Sequence, residues 1–188
     1  MDAVRGPNSI REETWQPARA AAPALTRQEI LTRLVETYQT ALLHICYMIL
    51  HDEALAEDAV QETYIKAYKG LESFRGESSD KTWLFRIGVN VCRDMKRARW
   101  FRYVDRRVDF DTLPLRTAPM DDDHEDLAQA VVLLPDKYKE VILLHYYQNM
   151  NVTEVAQTLG LAPSSVSNRL KKAREKLRVL MERGERHG

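Results

Sequence analysis

Cysteine is scarce: Cys46 and Cys92 are the only two in 188 residues, and they form no CxxC pair. That excludes a disulfide scaffold or a thiolate zinc cluster, and leaves two buried, reduced thiols as the expectation. His44 lies two residues from Cys46, a spacing that turns the side chains apart on a helix, so no metal site is read there. No run approaches the roughly 18 consecutive apolar residues of a membrane span, and the N-terminus lacks the apolar segment of a secretory signal. A cytoplasmic chain with no direct membrane insertion is expected. A glycine-rich phosphate loop, a nucleophile motif and paired histidine ligands are all missing, so neither catalysis nor a cofactor is expected. Strand-type alternation is missing as well, which leaves an all-helical fold.

Net charge is also absent as a total, with 28 basic residues against 28 acidic ones. The distribution is another matter. From Arg93 to Arg107 seven basic residues face only Asp94 and Asp105, and from Arg169 to Arg186 eight face Glu175, Glu182 and Glu185. Between these islands lie Asp109, Asp111, Asp121, Asp122, Asp123, Glu125 and Asp126. Phosphate responds to the local field, so two basic islands around an acidic stretch point to a nucleic-acid partner.

Hydrophobic content of 44% and charged content of 30% describe a folded chain that can hold one medium core or two small ones. Residues 1–25, rich in Ala, Pro and Arg, read as a flexible tail. Apolar residues then recur at Ile30, Leu34, Tyr38, Leu42, Ile45 and Ile49, the face of a long helix, with Thr26 and Glu29 placed for a capping box. A second stripe runs through Leu55, Ala59, Thr63, Ala67 and Leu71. A turn follows at Phe74-Arg75-Gly76, and a third helix starts near Lys81. Residues 26–102 form the first helical domain on this reading. Residues 103–125, with Pro114, Pro119 and the aspartates, read as a flexible acidic linker. A second helical domain occupies 126–182, and 183–188 form a short tail.

The second domain carries the sharpest local pattern. Asn151 with Glu154 marks a helix start, Gly160 its left-handed end, and Pro163 the first turn of the next helix. Val166, Leu170, Ala173, Leu177 and Leu180 give that last helix one apolar stripe. Two helices joined by a tight glycine turn, the second with a basic outer face, describe a DNA-binding helix-turn-helix. Ser164, Ser165, Ser167, Asn168, Lys171 and Lys172 lie off the stripe, where Asn suits adenine and Lys suits guanine. Arg169, Arg174 and Arg178 are placed to hold phosphate, which sets register rather than sequence choice.

Taken alone, the helix-turn-helix would fit a stand-alone transcription regulator, and that remains the alternative. The N-terminal half points elsewhere. Asp58-Ala59-Val60-Gln61-Glu62-Thr63-Tyr64-Ile65-Lys66-Ala67-Tyr68, Phe74-Arg75-Gly76 and Thr82-Trp83-Leu84-Phe85-Arg86-Ile87-Gly88-Val89-Asn90 strongly resemble region 2 of extracytoplasmic-function sigma factors. Leu134-Pro135-Asp136-Lys137-Tyr138-Lys139-Glu140-Val141 and the helix-turn-helix resemble region 4 of the same family. The resemblance implies a subunit that binds core RNA polymerase, at its beta-prime clamp helices and beta flap, and guides it to promoter DNA under the control of an anti-sigma factor. It implies polymerase contacts at Asp58, Gln61 and Glu62. It implies capture of a flipped minus-10 base near Gly70, Phe74 and Asn90, with Arg86, Arg93, Lys96, Arg97 and Arg99 along the DNA backbone. Minus-35 contacts would fall on Ser164, Ser165, Ser167, Asn168, Arg169, Lys171, Lys172 and Arg174. Trp83 is read as a core residue. The linker is equally compatible with a plain tether or with an acidic segment threaded through the polymerase channel. Ala162, where relatives often carry a better helix cap, and the long N-terminal tail depart from the family pattern.

Overall fold

A computed structural model describes residues 26–100 and 122–184, and every regular element among them is helical. The flexible tail expected over 1–25, most of the expected linker and the last four residues of the expected 183–188 tail lie outside the described residues. Helix α1 spans Arg27–Leu50, α2 Glu53–Gly70 and α3 Asp80–Trp100. Helix α4 spans Asp122–Val132, α5 Asp136–Ile142, α6 Val152–Leu159 and α7 Pro163–Gly184. The α4 start at Asp122 turns the last residues of the expected linker into a first helical turn, and α7 runs two residues past the expected boundary.

Local chemistry accounts for the helix ends. The Thr26 hydroxyl accepts from the Glu29 amide at 3.2 Å while the Glu29 carboxylate accepts from the Thr26 amide at 2.7 Å, a complete capping box. The α1 C-terminus closes on His51 in the left-handed region at φ 56°, its amide donating to the Tyr47 carbonyl. Asp52 then caps α2, accepting from the Leu55 amide at 3.0 Å. Two consecutive cap residues thus turn the chain within the His51-Asp52 break.

Helices α1, α2 and α3 pack together around Leu42, Ile45, Ala59, Phe85, Val89 and both buried cysteines. Gly88 permits the closest approach: a Cβ there would lie 2.7 Å from Leu42 Cδ1. In the second half α4, α5 and α6 pack on α7, burying Val131, Val141, Val155, Leu159, Val166 and Leu170. Helix α5 ends at Ile142; Leu143–Tyr147 is wound as a π-helix, and Asn149 at φ 51° then redirects the chain into α6.

The two halves do not stand apart. Helix α6 packs on α3 and α5 reaches α1, so buried side chains from both halves join a single apolar cluster. The halves expected to be separate small domains share an interface in this structure.

The helix-turn-helix depends on its first cap. Asn151 Oδ1 accepts from the amides of Thr153 at 2.9 Å and Glu154 at 3.0 Å, and Glu154 returns a bond to the Asn151 amide at 2.8 Å. Asn151→Ala is expected to cost about 1 kcal/mol, lowering the melting temperature by roughly 2–4 °C for a chain of this size. Calorimetry checks this; an unchanged melting temperature would show that tertiary packing alone holds α6.

Candidate nucleic-acid interface

The α6–turn–α7 geometry follows from its residues. Gly160 sits at φ +67°, a conformation costly for any residue with a Cβ, and the Leu161 amide donates to the Ala156 carbonyl at 2.9 Å across the turn. Val166, Leu170, Ala173 and Leu177 bury one side of α7. The opposite side leaves Ser164, Ser165, Ser167, Asn168, Lys171, Lys172 and Arg174 exposed, with Arg169 half-buried. Ala162 has no capping side chain, yet its carbonyl accepts from Ser165 at 3.0 Å and Val166 at 3.2 Å, so the helix starts on backbone bonds.

A second candidate surface lies on α3. Trp83, Arg86, Asn90, Arg93 and Arg97 follow one another in steps of three or four and share one helix stripe. Arg86, Asn90 and Arg97 are exposed, and Arg93 is half-buried. Phe74 stacks on Trp83 with ring centroids 4.6 Å apart and planes 24° from parallel. Trp83, read as a core residue, is half-buried: it packs against the buried Leu34, Ala67 and Leu84 and also stands at the rim of a cavity of about 370 Å³. Phe74, Arg75 and Arg86 line the same cavity, and so does Gln157 from α6. Aromatic faces beside guanidinium groups suit a nucleobase. Asn90 lies one turn beyond the lining residues.

Gly70, which the resemblance groups with Phe74 and Asn90, lies against the aromatic pair. A Cβ there would meet the Trp83 ring at 3.3 Å, and its carbonyl accepts from the amides of Ser73 and Phe74, each at 3.1 Å. It positions the stacked pair. On α2, Asp58 and Gln61 are exposed, while Glu62 is partly exposed and 3.5 Å from Lys66. Ile65 and Tyr68, 49% and 43% exposed, extend that face with apolar surface; their spacing from Gln61 could have revealed them. No sequence signal could have found Gln157 in the aromatic cavity.

Residues 34–102 match the model of Sigma-70 region 2, and residues 124–177 match that of Sigma-70, region 4. The chain belongs to the sigma-70 family. Its relatives place it in the extracytoplasmic-function (ECF) group. It is 28% identical over 165 residues to the ECF RNA polymerase sigma factor SigW of Bacillus subtilis, covering 80% of this chain and 88% of SigW. It is 27% identical over 170 residues to the ECF RNA polymerase sigma factor SigL of Mycobacterium tuberculosis, covering 88% and 96%. Among solved structures, CnrH in complex with the cytosolic domain of CnrY aligns at a TM-score of 0.61 and 27% identity, over 82% of this chain and 89% of that one. RpoE bound to the anti-sigma factor NepR from Bartonella quintana aligns at 0.68 and 23% identity, over 81% and 97%, a likeness of fold.

This sigma-70 chain also holds a buried polar contact where α5 meets the end of α1. Lys139, 2% exposed, has its ammonium 2.7 Å from His51 Nε2. An ammonium only donates, so Nε2 is the acceptor and the ring proton sits on Nδ1. Nδ1 is buried without a hydrogen-bond partner among the described residues. Burial first, then the Lys139 and Lys96 cations, push His51 down to about 4, with Asp136 opposing. Burial likewise lowers Lys139 to about 8, against the pull of Asp136 and Glu140. Tyr47, Asp52, Glu53 and Glu57 line the adjoining cavity.

The folded state thus prefers neutral His51. Between about pH 6.5 and 4 the unfolded chain takes up a proton that the folded chain refuses, so stability falls with acidification across that window. His51→Asn, which tolerates the left-handed backbone, is expected to show a shallower loss between pH 7 and 5 in urea unfolding. Equal slopes for the two proteins would remove His51 from the account.

Proposed function

We propose that the chain is an alternative sigma factor that binds core RNA polymerase and directs promoter-specific initiation in the cytoplasm. Among the described residues no helix is long and apolar enough to cross a membrane. The observation that carries the reading is the pairing, in one chain, of an aromatic cavity beside a basic helix stripe with a helix-turn-helix. Duplex readout needs only the second. A strand whose bases have left the stack needs the first.

In this reading Phe74 offers a ring face to a flipped minus-10 base, Asn90 supplies an amide for its edge, and Gly70 sets the position of the wall. Arg86, Arg93, Lys96 and Arg97 follow the strand's phosphates. On α7, Ser164, Ser165, Ser167, Asn168, Lys171 and Lys172 face minus-35 base edges, and Arg169 and Arg174 hold phosphate. Asp58, Gln61 and Glu62, joined by exposed Ile65 and Tyr68, meet the polymerase clamp helices, and the second half meets the beta flap. The domains run over 26–102 and 126–182, joined by the acidic linker. The chain itself carries no catalytic role. Control by an anti-sigma factor belongs to the reading, and the complex of CnrH with the CnrY cytosolic domain supports a protein partner of that kind.

Core polymerase supplemented with the chain should start transcription at defined sequences sharing an upstream motif. Phe74→Ala should cut open-complex formation roughly 5- to 150-fold, the equivalent of the ~1–3 kcal/mol of one base–aromatic stack, while minus-35 duplex binding persists. Absence of any sequence-dependent start, together with tight binding of the isolated chain to an operator, would favour a stand-alone regulator.

A further inference from the structure

The chain's two cysteines face one another inside the first half. Helices α1 and α3 run side by side in the same direction, because α2 carries the chain back between them. Three contacts give their register. Arg33 pairs with Asp80 at 2.6 Å, the Tyr38 and Phe85 rings meet edge to face with centroids 6.2 Å apart, and Gly88 lies against the Leu42 side chain. The partners in each contact stand 46 or 47 positions apart in sequence, as expected of parallel helices advancing turn by turn. One turn beyond Leu42 and Gly88 come Cys46 and Cys92, again 46 positions apart. Both are 0% exposed, and the two thiols hydrogen-bond each other. Gly88, with no side chain, lets the backbones draw together one turn before the thiols. A disulfide demands such closeness, with Cα atoms no more than about 7 Å apart.

We propose that Cys46 and Cys92 are a reversible oxidation site, a buried dithiol that hydrogen peroxide closes to a disulfide locking α1 to α3. One sulfur takes an oxygen from the peroxide, giving a sulfenic acid and one water. The second sulfur then displaces that oxygen, which leaves as a second water. Two thiols and one peroxide become one disulfide and two waters, with two electrons passing from the sulfurs to the peroxide oxygens. The bond closes the loop from Cys46 to Cys92, which holds all of α2 and much of α3. Asp58, Gln61, Glu62, Gly70, Phe74 and Asn90 all lie within it, so one covalent link ties the frame beneath those residues.

The fold also decides when the bond can form. The hydrogen bond with Cys92, and then burial, hold the Cys46 thiol far above its ordinary range, so it stays protonated and out of contact with solvent. The thiolate is the reacting form, and the closed chain is therefore slow to oxidise. Oxidation passes through molecules in which α1 and α3 have parted locally, and reclosure brings the sulfurs together again. The disulfide then holds the first half against the next opening.

The test treats the full chain with hydrogen peroxide and then alkylates the remaining thiols in urea. Peptide mapping without reductant should find a Cys46–Cys92 link, lighter by two hydrogens than the separate peptides and reversed by dithiothreitol. The oxidised chain should melt roughly 5–15 °C above the reduced one, the effect of closing a loop of this length. The folded chain should oxidise at least about tenfold more slowly than the same chain unfolded in urea. Cys46→Ala and Cys92→Ala, each compared before and after peroxide, should show neither the link nor the rise, which separates the bond from methionine oxidation.

Thiols that stay reduced, stop at sulfinic acid or link only between molecules, under conditions that oxidise the unfolded chain, would overturn the site. A mapped link with an unchanged or lower melting temperature would overturn the lock, since the bond would then strain the α1–α3 register. Oxidation as fast in the folded chain as in the unfolded one would overturn the dependence on opening.

Discussion

The Arg93–Glu140 pair is the contact on which the arrangement of the two halves turns. Its residues lie 47 positions apart, on α3 and α5, and Glu140 is almost wholly removed from water. Burying a carboxylate costs several kcal/mol unless geometry and hydrogen bonds repay it, and two parallel bonds to one guanidinium are the arrangement that does so. Such a pair contributes little to net stability compared with an apolar substitute. It specifies one docking of two surfaces, because any shifted docking leaves a buried charge alone. Lys96 with Asp136 and Lys139 with His51 fall into place around it.

That constraint forces α3 to serve two surfaces at once. Leu84, Phe85, Val89 and Cys92 hold it in the first helical layer, which fixes which side chains are left to face outwards. The outward stripe carries the cations and Trp83. The same stripe that suits a nucleic-acid strand therefore also suits the carboxylates of α5, since both present negative oxygens at hydrogen-bonding distance. A net charge of zero hides this complementarity: Arg93 and Lys96 of the first basic island pair with Glu140 and Asp136 within the folded chain. On α7 no such pairing covers Ser167, Asn168, Lys171 and Lys172, which remain exposed. The two candidate surfaces thus differ in availability, although both look equally basic along the sequence.

Much of the local structure was legible in the sequence, for reasons that are themselves local. The Thr26–Glu29 and Asn151–Glu154 boxes, the Gly160 turn and the α7 stripe involve residues at most a few positions apart, and helical periodicity alone decides which side they bury. The family match rests on the same ordered motifs. The π-helical stretch at Leu143–Tyr147 and the early start of α4 were not legible, because an apolar run reads alike in either winding and aspartates read alike in a linker or a first helical turn.

Periodicity and local cap chemistry by themselves determined an all-helical chain ending in a helix-turn-helix, and the ordered motifs carried the resemblance to the family. Tertiary structure alone decided that Trp83 stacks on Phe74 at a cavity rim, that Gly70 lies beneath it, that Gln157 reaches the same cavity, and that Arg93 spends its charge on Glu140. The physical reason is one of range. A helix face is set by neighbours within two turns, whereas the partner of that face depends on how the two halves dock, and no spacing along the chain encodes that choice.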